Sequence, residues 1–382
     1  VLIVPSWYPT IDNPRSGIFF KEQALALVKS GIKVTVAYPE IWSVSNFKKN
    51  FFKKNFVHEN EDGIDTYRIK GVNRMPLWKH GTRVQYLKQL RHLVKVIINE
   101  KGLPDIIHAH SVLWGGWAAS IIAQEYNIPF VITEHASIYG RNLVKDFQIP
   151  YIETTFNRAN KCLAVSESLK NDLLPYTQKQ IEIVPNLINI EKAVQHKDTS
   201  QKNGFSFFSL AFLNENKGFD LLIKAFYQAF GENNDIKLYI GGDGEERENL
   251  ERLVRNYNLT KNIIFLGELD REQVFKEMNS CDAFVLASHY ETFGVVYIEA
   301  LACGKPVLAT RCGGSNGIIN EENGILVPVN DIDSLSKGLM EMYKKARSFD
   351  EQQIKKDCFE RFSEARIIEK LVCIYKEVLK NV

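Results

Sequence analysis

The sequence predicts an α/β protein made of two doubly wound parallel-sheet units in tandem. Three observations carry this reading. Short, nearly continuous apolar runs alternate with longer stretches whose apolar residues recur at helical spacing. The alternation stops once, near residue 190, and then restarts. The chain has 382 residues, and at roughly 100–200 residues per domain that length suits two.

The run Val1-Leu2-Ile3-Val4 opens the chain as a buried strand. Residues 33–38, 106–110, 130–135, 162–165 and 181–184 repeat the pattern, each bounded by turn residues. Between the first two runs lies a helical stretch, 17–29, with Phe20, Leu25, Leu27 and Val28. A second helical stretch, 82–98, carries Val84, Leu87, Leu90, Val94, Ile97 and Ile98. Apolar runs this short, separated by helices, suit parallel strands covered on both faces. Residues 1–190 form the expected N-terminal domain. The polar, weakly periodic stretch 191–204 is the expected linker. Strands then resume at 205–212, 236–240, 263–266, 283–288, 306–310 and 324–327, and 205–362 is the expected second domain. The last stretch, 363–382, reads as a helix that crosses back to the first domain.

Composition excludes several classes. The chain is 45% hydrophobic, 25% charged and 11% aromatic, which suits a globular protein and not disorder, collagen or coiled coil. The longest near-apolar run, 112–123, is shorter than the ~20 residues of a membrane-spanning helix. No basic, leader-like segment opens the sequence. The six cysteines show no C-x-x-C pair and no metal-ligand spacing, so a reduced, cytoplasmic protein is expected. Residues 1–190 carry a net charge of +7 and the remainder −5. The basic excess is concentrated in 47–95. Two units with different surroundings are implied.

Doubly wound sheets collect ligands outside the carboxyl ends of their strands. Chemistry is therefore expected at 5–17, 108–110, 133–135, 213–218, 241–244, 288–294 and 310–317, facing a cleft between the units. The densest constellation runs from Ser288 through Glu291, Phe293, Gly294, Val295 and Glu299 to Gly304. A helix beginning near Gly294 offers free N–H groups and a positive dipole end, which suits a diphosphate. Were the interval wholly helical, Glu291 and Glu299 would stand roughly 12 Å apart, one on each side of a diphosphate. The spacing alone equally suits a capping Glu and a solvated helix Glu. His108 and His110, on one strand, are read as facing opposite sides and not as metal ligands. Gly242-Asp243-Gly244 lacks the pattern of a phosphate-binding loop and is assigned to turn geometry. The first strand lacks G-x-G-x-x-G, which argues against a nicotinamide dehydrogenase.

Glu291-x7-Glu299, followed by Ala300-Leu301-Ala302-Cys303-Gly304-Lys305-Pro306 and Cys312-Gly313-Gly314, resembles group 1 (family 4) glycosyltransferases. These are retaining enzymes of the GT-B fold, two Rossmann-like domains facing across a cleft, that use nucleotide sugars. Further matching pieces follow in order over nearly the whole chain. They are Ser6-Trp7-Tyr8-Pro9 through Gly17, Asp105 to His110, Thr133-Glu134-His135, Val165-Ser166, Val184-Pro185-Asn186, Lys217-Gly218, Gly242-Asp243-Gly244 and Phe265-Leu266-Gly267.

The resemblance implies roles. Glu291 contacts hydroxyls of the transferred sugar and Glu299 those of the ribose. The amides of Phe293, Gly294 and Val295 face sugar and phosphate, and that of Gly17 the diphosphate. Lys217 neutralises charge that builds on the leaving diphosphate, the work a metal does elsewhere, so no metal or other cofactor is implied. His135 stands near the reacting sugar or acceptor and is expected to exchange protons near neutral pH. Two departures stand out. Phe212 occupies the position where the family usually has Arg, and Arg15 or Arg311 is the candidate substitute cation. Ser315-Asn316-Gly317 replaces a common Pro-Glu pair.

The resemblance thus implies a retaining transferase moving a sugar from a UDP or GDP donor to a glycan or lipid-linked acceptor. Polysaccharide or lipopolysaccharide synthesis is the implied setting. A nucleotide-sugar epimerase and a degenerate transferase serving as a binding subunit are the alternatives. Residues 47–56, which interleave Phe and Lys, are a candidate peripheral membrane contact at the inner face. No nucleic-acid partner is expected.

Overall fold

The computed structural model describes residues 1–42, 56–73, 75–189 and 204–380. The chain divides into two compact units. The first comprises Val1–Leu187 and Ile367–Val382; the second comprises Ile188–Arg366.

The first unit is an eight-stranded sheet. In chain order its elements are β1 (Leu2–Pro5), α1 (Ile18–Lys29), β2 (Thr35–Trp42), β3 (Phe56–Glu61), β4 (Ile64–Val72) and α2 (Gly81–Lys101). Then come β5 (Ile107–His110), α3 (Trp117–Tyr126), β6 (Phe130–Glu134), α4 (Ile149–Arg158), β7 (Lys161–Ala164), α5 (Glu167–Leu173) and β8 (Ile181–Ile183). The strand order is β3-β4-β2-β1-β5-β6-β7-β8. All pairings are parallel except β3 with β4. Every residue of β1, β5 and β6 is buried, as both faces of a covered parallel sheet require.

The β3–β4 hairpin is absent from the sequence reading. Its strands are polar because β3 is an edge with most residues exposed. The turn signal was nevertheless present. Asp62 and Gly63 take positive φ of 56° and 96°, the geometry of a tight hairpin turn that Asp-Gly favours.

The second unit contains β9 (Phe205–Leu210), α6 (Phe219–Phe230), β10 (Ile236–Gly241), α7 (Arg247–Asn256), β11 (Ile263–Gly267) and α8 (Arg271–Ser280). It continues with β12 (Ala283–Leu286), α9 (Val295–Ala302), β13 (Val307–Thr310), β14 (Gly324–Val327), α10 (Ile332–Lys345) and α11 (Glu351–Phe362). Its sheet is wholly parallel in the order β11-β10-β9-β12-β13-β14. The order reverses between β9 and β12, which defines a topological switch point.

The unit boundary falls at Leu187, before the expected residue 190. Ile188 belongs to the second unit because its amide bonds the Phe362 carbonyl (2.9 Å) and it bridges to Ser363. The expected linker, 191–204, lies outside the described residues except for Gly204. The last helix, α12 (Glu364–Lys380), starts in the second unit and from Ile367 onward belongs to the first. Ile367, Leu371, Ile374 and Val378 recur at helical spacing and are buried with Ile3, Phe20, Leu27 and Val36 in the first unit's core.

Candidate active site

The loops after β9 and β12 meet at the switch point of the second sheet. The chain leaves β9 through Ala211–Asn214 and makes a short 3-10 turn, Glu215–Lys217. It enters α6 through Gly218, whose φ is +61°. A Cβ on Gly218 would lie 2.1 Å from the Ala287 carbonyl oxygen, so only glycine lets the two loops approach this closely. Asn216 then locks them. Its carbonyl accepts from the His289 amide (2.8 Å) and its side-chain amide donates to the Tyr290 carbonyl (2.9 Å).

This packing delivers Lys217 to Glu291. The ammonium lies 2.6 Å from Glu291 Oε1, and the Ser288 hydroxyl donates to the same oxygen at 2.8 Å. Both side chains retain some exposure, 22% and 12%. The backbone of Glu291 is fixed as well. Its amide donates to the Cys312 carbonyl and its carbonyl accepts from Gly314, each at 2.8 Å. A Cβ on Gly314 would collide with Phe293 backbone at 2.4 Å. Ser315, one of the residues departing from the family pattern, closes this loop by donating to the Thr310 carbonyl (2.6 Å).

Glu291 and Glu299 do not share one helix. The helix α9 starts only at Val295, after Gly294 at φ +91°. Glu291 sits before it in extended backbone bridged to Gly313. The separation of a wholly helical interval therefore does not apply to this pair, and the helix start near Gly294 is as expected. Gly294 has no room for a side chain, since a Cβ would lie 2.4 Å from the Tyr297 ring. Phe293, Gly294 and Val295 thus form the entry to α9, where amides lack carbonyl partners within the helix. Glu299 is buried, and Arg271 forms an ion pair with its carboxylate. Arg271 was missed by sequence reasoning. Asp270 and Gln273 form a capping box that could have located its helix start, but no local pattern points from residue 271 to residue 299.

Phe212 is exposed (58%). Its neighbours hold the Gly242–Gly244 turn. A Cβ on Gly242 would lie 1.9 Å from the Ala211 carbonyl oxygen, and one on Gly244 2.3 Å from that of Leu213. This turn serves close packing. Arg311 lines a separate groove with Glu322, Glu341 and Lys345, which shares no residue with the Lys217 site. Arg15 belongs to the first unit and is exposed.

In the first unit, Gly17 (φ +68°) opens α1, and a Cβ there would stand 2.8 Å from the Trp7 carbonyl oxygen. The helix then places Phe19 and Phe20 against His135, with ring centroids at 5.3 and 4.8 Å. His135 Nε2 meets His110 Nδ1 at 3.1 Å. His108 and His110 face the same side, with rings 4.3 Å apart. Residues two apart on a strand share a face, so the expectation of opposite faces is corrected. His108 also bonds Tyr375 of α12 (2.6 Å) and Thr133 (2.7 Å).

Burial lowers the pKa of all three histidines, that of His108 to about 3. Burial thus favours the neutral form of His135 over the imidazolium that proton exchange also passes through. Among the described residues, His135 Nδ1 and His110 Nε2 have no hydrogen-bond partner. Glu134, also without an assigned role in the sequence reading, organises the strand end. Its buried carboxylate accepts from the amides of Val112 (2.9 Å), His135 (2.7 Å) and Ala136 (2.8 Å) and from the Tyr139 hydroxyl (2.9 Å). Among the described residues no cluster of His, Cys, Asp and Glu could hold a metal ion. No described helix is long and apolar enough to cross a membrane. The candidate contact at 47–56 lies outside the described residues except for Phe56, which opens β3.

Two family models match the sequence. "Glycosyltransferase Family 4" spans residues 17–192 and "Glycosyl transferases group 1" spans 191–357. A Bacillus subtilis protein assigned as the teichuronic acid biosynthesis glycosyltransferase TuaC is 25% identical, over 89% of this chain and 88% of its own. The Campylobacter jejuni N-acetylgalactosamine-N,N'-diacetylbacillosaminyl-diphospho-undecaprenol 4-alpha-N-acetylgalactosaminyltransferase is 30% identical, over 56% of this chain and 62% of its own. Among solved structures, sucrose-phosphate synthase from Thermosynechococcus elongatus matches with a TM-score of 0.79 at 20% identity, covering 100% of this chain and 99% of that one. Anabaena Alr3699/HepE in complex with UDP matches with a TM-score of 0.74 at 18% identity, with the same coverage.

Proposed function

The chain belongs to the group 1, family 4 glycosyltransferases of GT-B fold, and on that premise we propose a retaining transfer from a nucleoside-diphosphate sugar. The donor is a UDP- or GDP-sugar. The acceptor is a hydroxyl of a glycan or lipid-linked saccharide in cell-surface polysaccharide synthesis, lipopolysaccharide included. The transfer takes place in the cytoplasm. The names of the Bacillus and Campylobacter relatives favour this acceptor class, and the UDP held by the Anabaena protein favours UDP.

The observation that carries the reading is the Lys217–Glu291 pair at the switch point of the second sheet. A partly exposed ammonium can exchange a carboxylate for an arriving diphosphate. It then opposes the negative charge that grows as the bond from sugar to phosphate breaks. Glu291 is freed to accept from sugar hydroxyls. The start of α9 gathers amides for the anion, and Glu299, oriented by Arg271, accepts from the ribose. In this arrangement Lys217 supplies the cation, and no metal cofactor is needed. His135, neutral, serves as a hydrogen-bond partner for a hydroxyl.

Calorimetry with UDP and GDP, with and without magnesium, tests the donor site. One nucleotide should bind irrespective of magnesium, and Glu299→Ala should weaken it about tenfold or more. Proton NMR of the first product should show the donor's anomeric configuration. Failure of both nucleotides to bind would leave the non-catalytic binding subunit, for which Phe212 is the motive. Conversion of the donor without acceptor would indicate an epimerase.

A further inference from the structure

The loop 6–17 follows β1, where strand order in the first sheet reverses between β1 and β5. Ligands of a doubly wound sheet collect beside such a point, so the position of this loop bears on what the first unit binds. Its tip is open to solvent, with residues 11–15 exposed. Its base is closed, because Gly17 packs on the Trp7 carbonyl and Tyr8 is fully buried. What fixes the base comes from the β3–β4 hairpin, to which the proposed chemistry gives no part.

Arg68 of β4 reaches the loop. It is 6% exposed. Its Nη1 donates to the Pro9 carbonyl (2.8 Å) and its Nη2 to Glu61 Oε1 of β3 (2.7 Å). The guanidinium carbon stands 5.0 Å from the centre of the Tyr8 ring and 5.7 Å from that of Tyr38. The other oxygen of Glu61 pairs with Lys21 Nζ of α1 at 2.6 Å. Burial raises the Glu61 pKa, and the bonds from Lys21 and Arg68 outweigh it, so the carboxyl stays below its ordinary value. Phe19 and Phe20, just before Lys21, carry the ring contacts to His135. One arginine and one carboxylate thus tie the hairpin to both sides of the loop.

Stability alone is a poor reason for this array. An ion pair taken out of water adds little net stability, and well-packed apolar side chains often serve as well. What the array supplies is direction. A guanidinium fork holds its two acceptors in a fixed relation, and here one acceptor is loop backbone. The bond to Glu61 would satisfy the hairpin; the bond to Pro9 serves the loop.

We propose that Arg68 is a positioning residue. With Glu61 and Lys21 it fixes the base of the loop 6–17 and the start of α1, and through them the placement of Gly17 and His135 during sugar transfer. Its effect on turnover rests on the transferase reading; its effect on the loop rests on the first unit alone.

Hydrogen exchange and steady-state kinetics on the whole chain test this together. In Arg68→Met the amides of residues 10–18 should exchange about tenfold faster, while those of β6 keep the wild-type rate. The same variant should lose about tenfold or more in kcat, with UDP or GDP binding by calorimetry as in wild type, since the proposed nucleotide contacts lie in the second unit. Arg68→Lys keeps the charge but lacks the fork, and should restore neither protection nor kcat. Lys21→Met, at the more exposed end of the array, should give a smaller loss of the same kind, and it decides the matter if Arg68→Met does not fold. Unchanged exchange at 10–18 would overturn the proposal. So would faster exchange spread evenly over the first unit, which is the mark of a role in stability alone. A loosened loop with kcat within about twofold of wild type would overturn it as well. Should the wild-type chain bind neither nucleotide and transfer no sugar, the transferase reading falls, and exchange at 10–18 still decides whether Arg68 fixes the loop.

Discussion

The carboxyl edge of the second sheet holds an ammonium and a carboxylate in partial contact with solvent, whereas that of the first sheet buries three imidazoles among phenylalanines. Lys217 and Glu291 are 22% and 12% exposed; His108 and His110 are fully buried and His135 nearly so. Both edges flank points where strand order reverses, between β9 and β12 and between β1 and β5. The same topology thus supports opposite electrostatics, and the difference lies in loop residues. A charged, accessible pair can trade partners with an anion. A buried cluster can offer hydrogen bonds to hydroxyls, and burial disfavours its charged form.

Removing the charge from the second edge should have the largest effect. Lys217→Met should lower kcat about 10³-fold, roughly 4 kcal/mol, with a smaller change in KM, if the lysine acts as proposed on charge that develops in the transition state. Steady-state kinetics checks this, and a loss under threefold would break the comparison. Next comes Gly218→Ala, which places a Cβ 2.1 Å from the Ala287 carbonyl oxygen at φ +61°. The loops must part, and urea unfolding should show a loss on the order of 3 kcal/mol.

The first edge is sharpened by pH. His108 has a folded pKa of about 3, against about 6.5 unfolded. The unfolded chain therefore binds a proton below pH 6.5 that the folded chain refuses. Stability from this residue is full above pH 6.5 and falls as pH drops from there toward 3. At pH 5 the loss is about 2 kcal/mol. Urea midpoints at pH 7 and 5 should diverge less in His108→Gln than in wild type by about that amount. Equal divergence would mean that the cluster takes up protons while folded. The same burial predicts that kcat/KM shows no limb between pH 6 and 8 that His135→Asn abolishes.

Much of this contrast was legible in sequence, and the rest was not for identifiable reasons. Buried parallel strands are dominated by apolar residues on both faces, so β1, β5, β6, β9 and β12 were evident. The β3–β4 hairpin was not, because half its faces meet solvent and its pattern is polar. Glu291 and Glu299 were found by spacing and resemblance. The entry to α9 at Val295 was placed correctly near Gly294, whereas the bridge that fixes Glu291 to Gly313 depends on a loop more than twenty residues away and has no local signal. The shared face of His108 and His110 follows from the period of a strand and should have been read. Arg271 beside Glu299 could not be, since the pair depends on how α8 and α9 pack.

The smallest expected effect concerns the missing cation. Phe212 stands exposed where an Arg was expected, and a substitute from Arg311 would require it to join Lys217. Arg311 instead lines a groove beside Glu322 and Glu341. A surface charge on a groove that shares no residue with the Lys217 site should matter little. Arg311→Ala should therefore change kcat/KM by less than about twofold, measured under the conditions used for Lys217→Met. That result would remove Arg311 as the substitute cation and leave Lys217 as the cation that the proposed reading places on the donor in the second unit. A tenfold or larger loss would instead show that the loop after β13 moves Arg311 to the donor when it binds. The second edge would then be charged by assembly rather than by its resting structure.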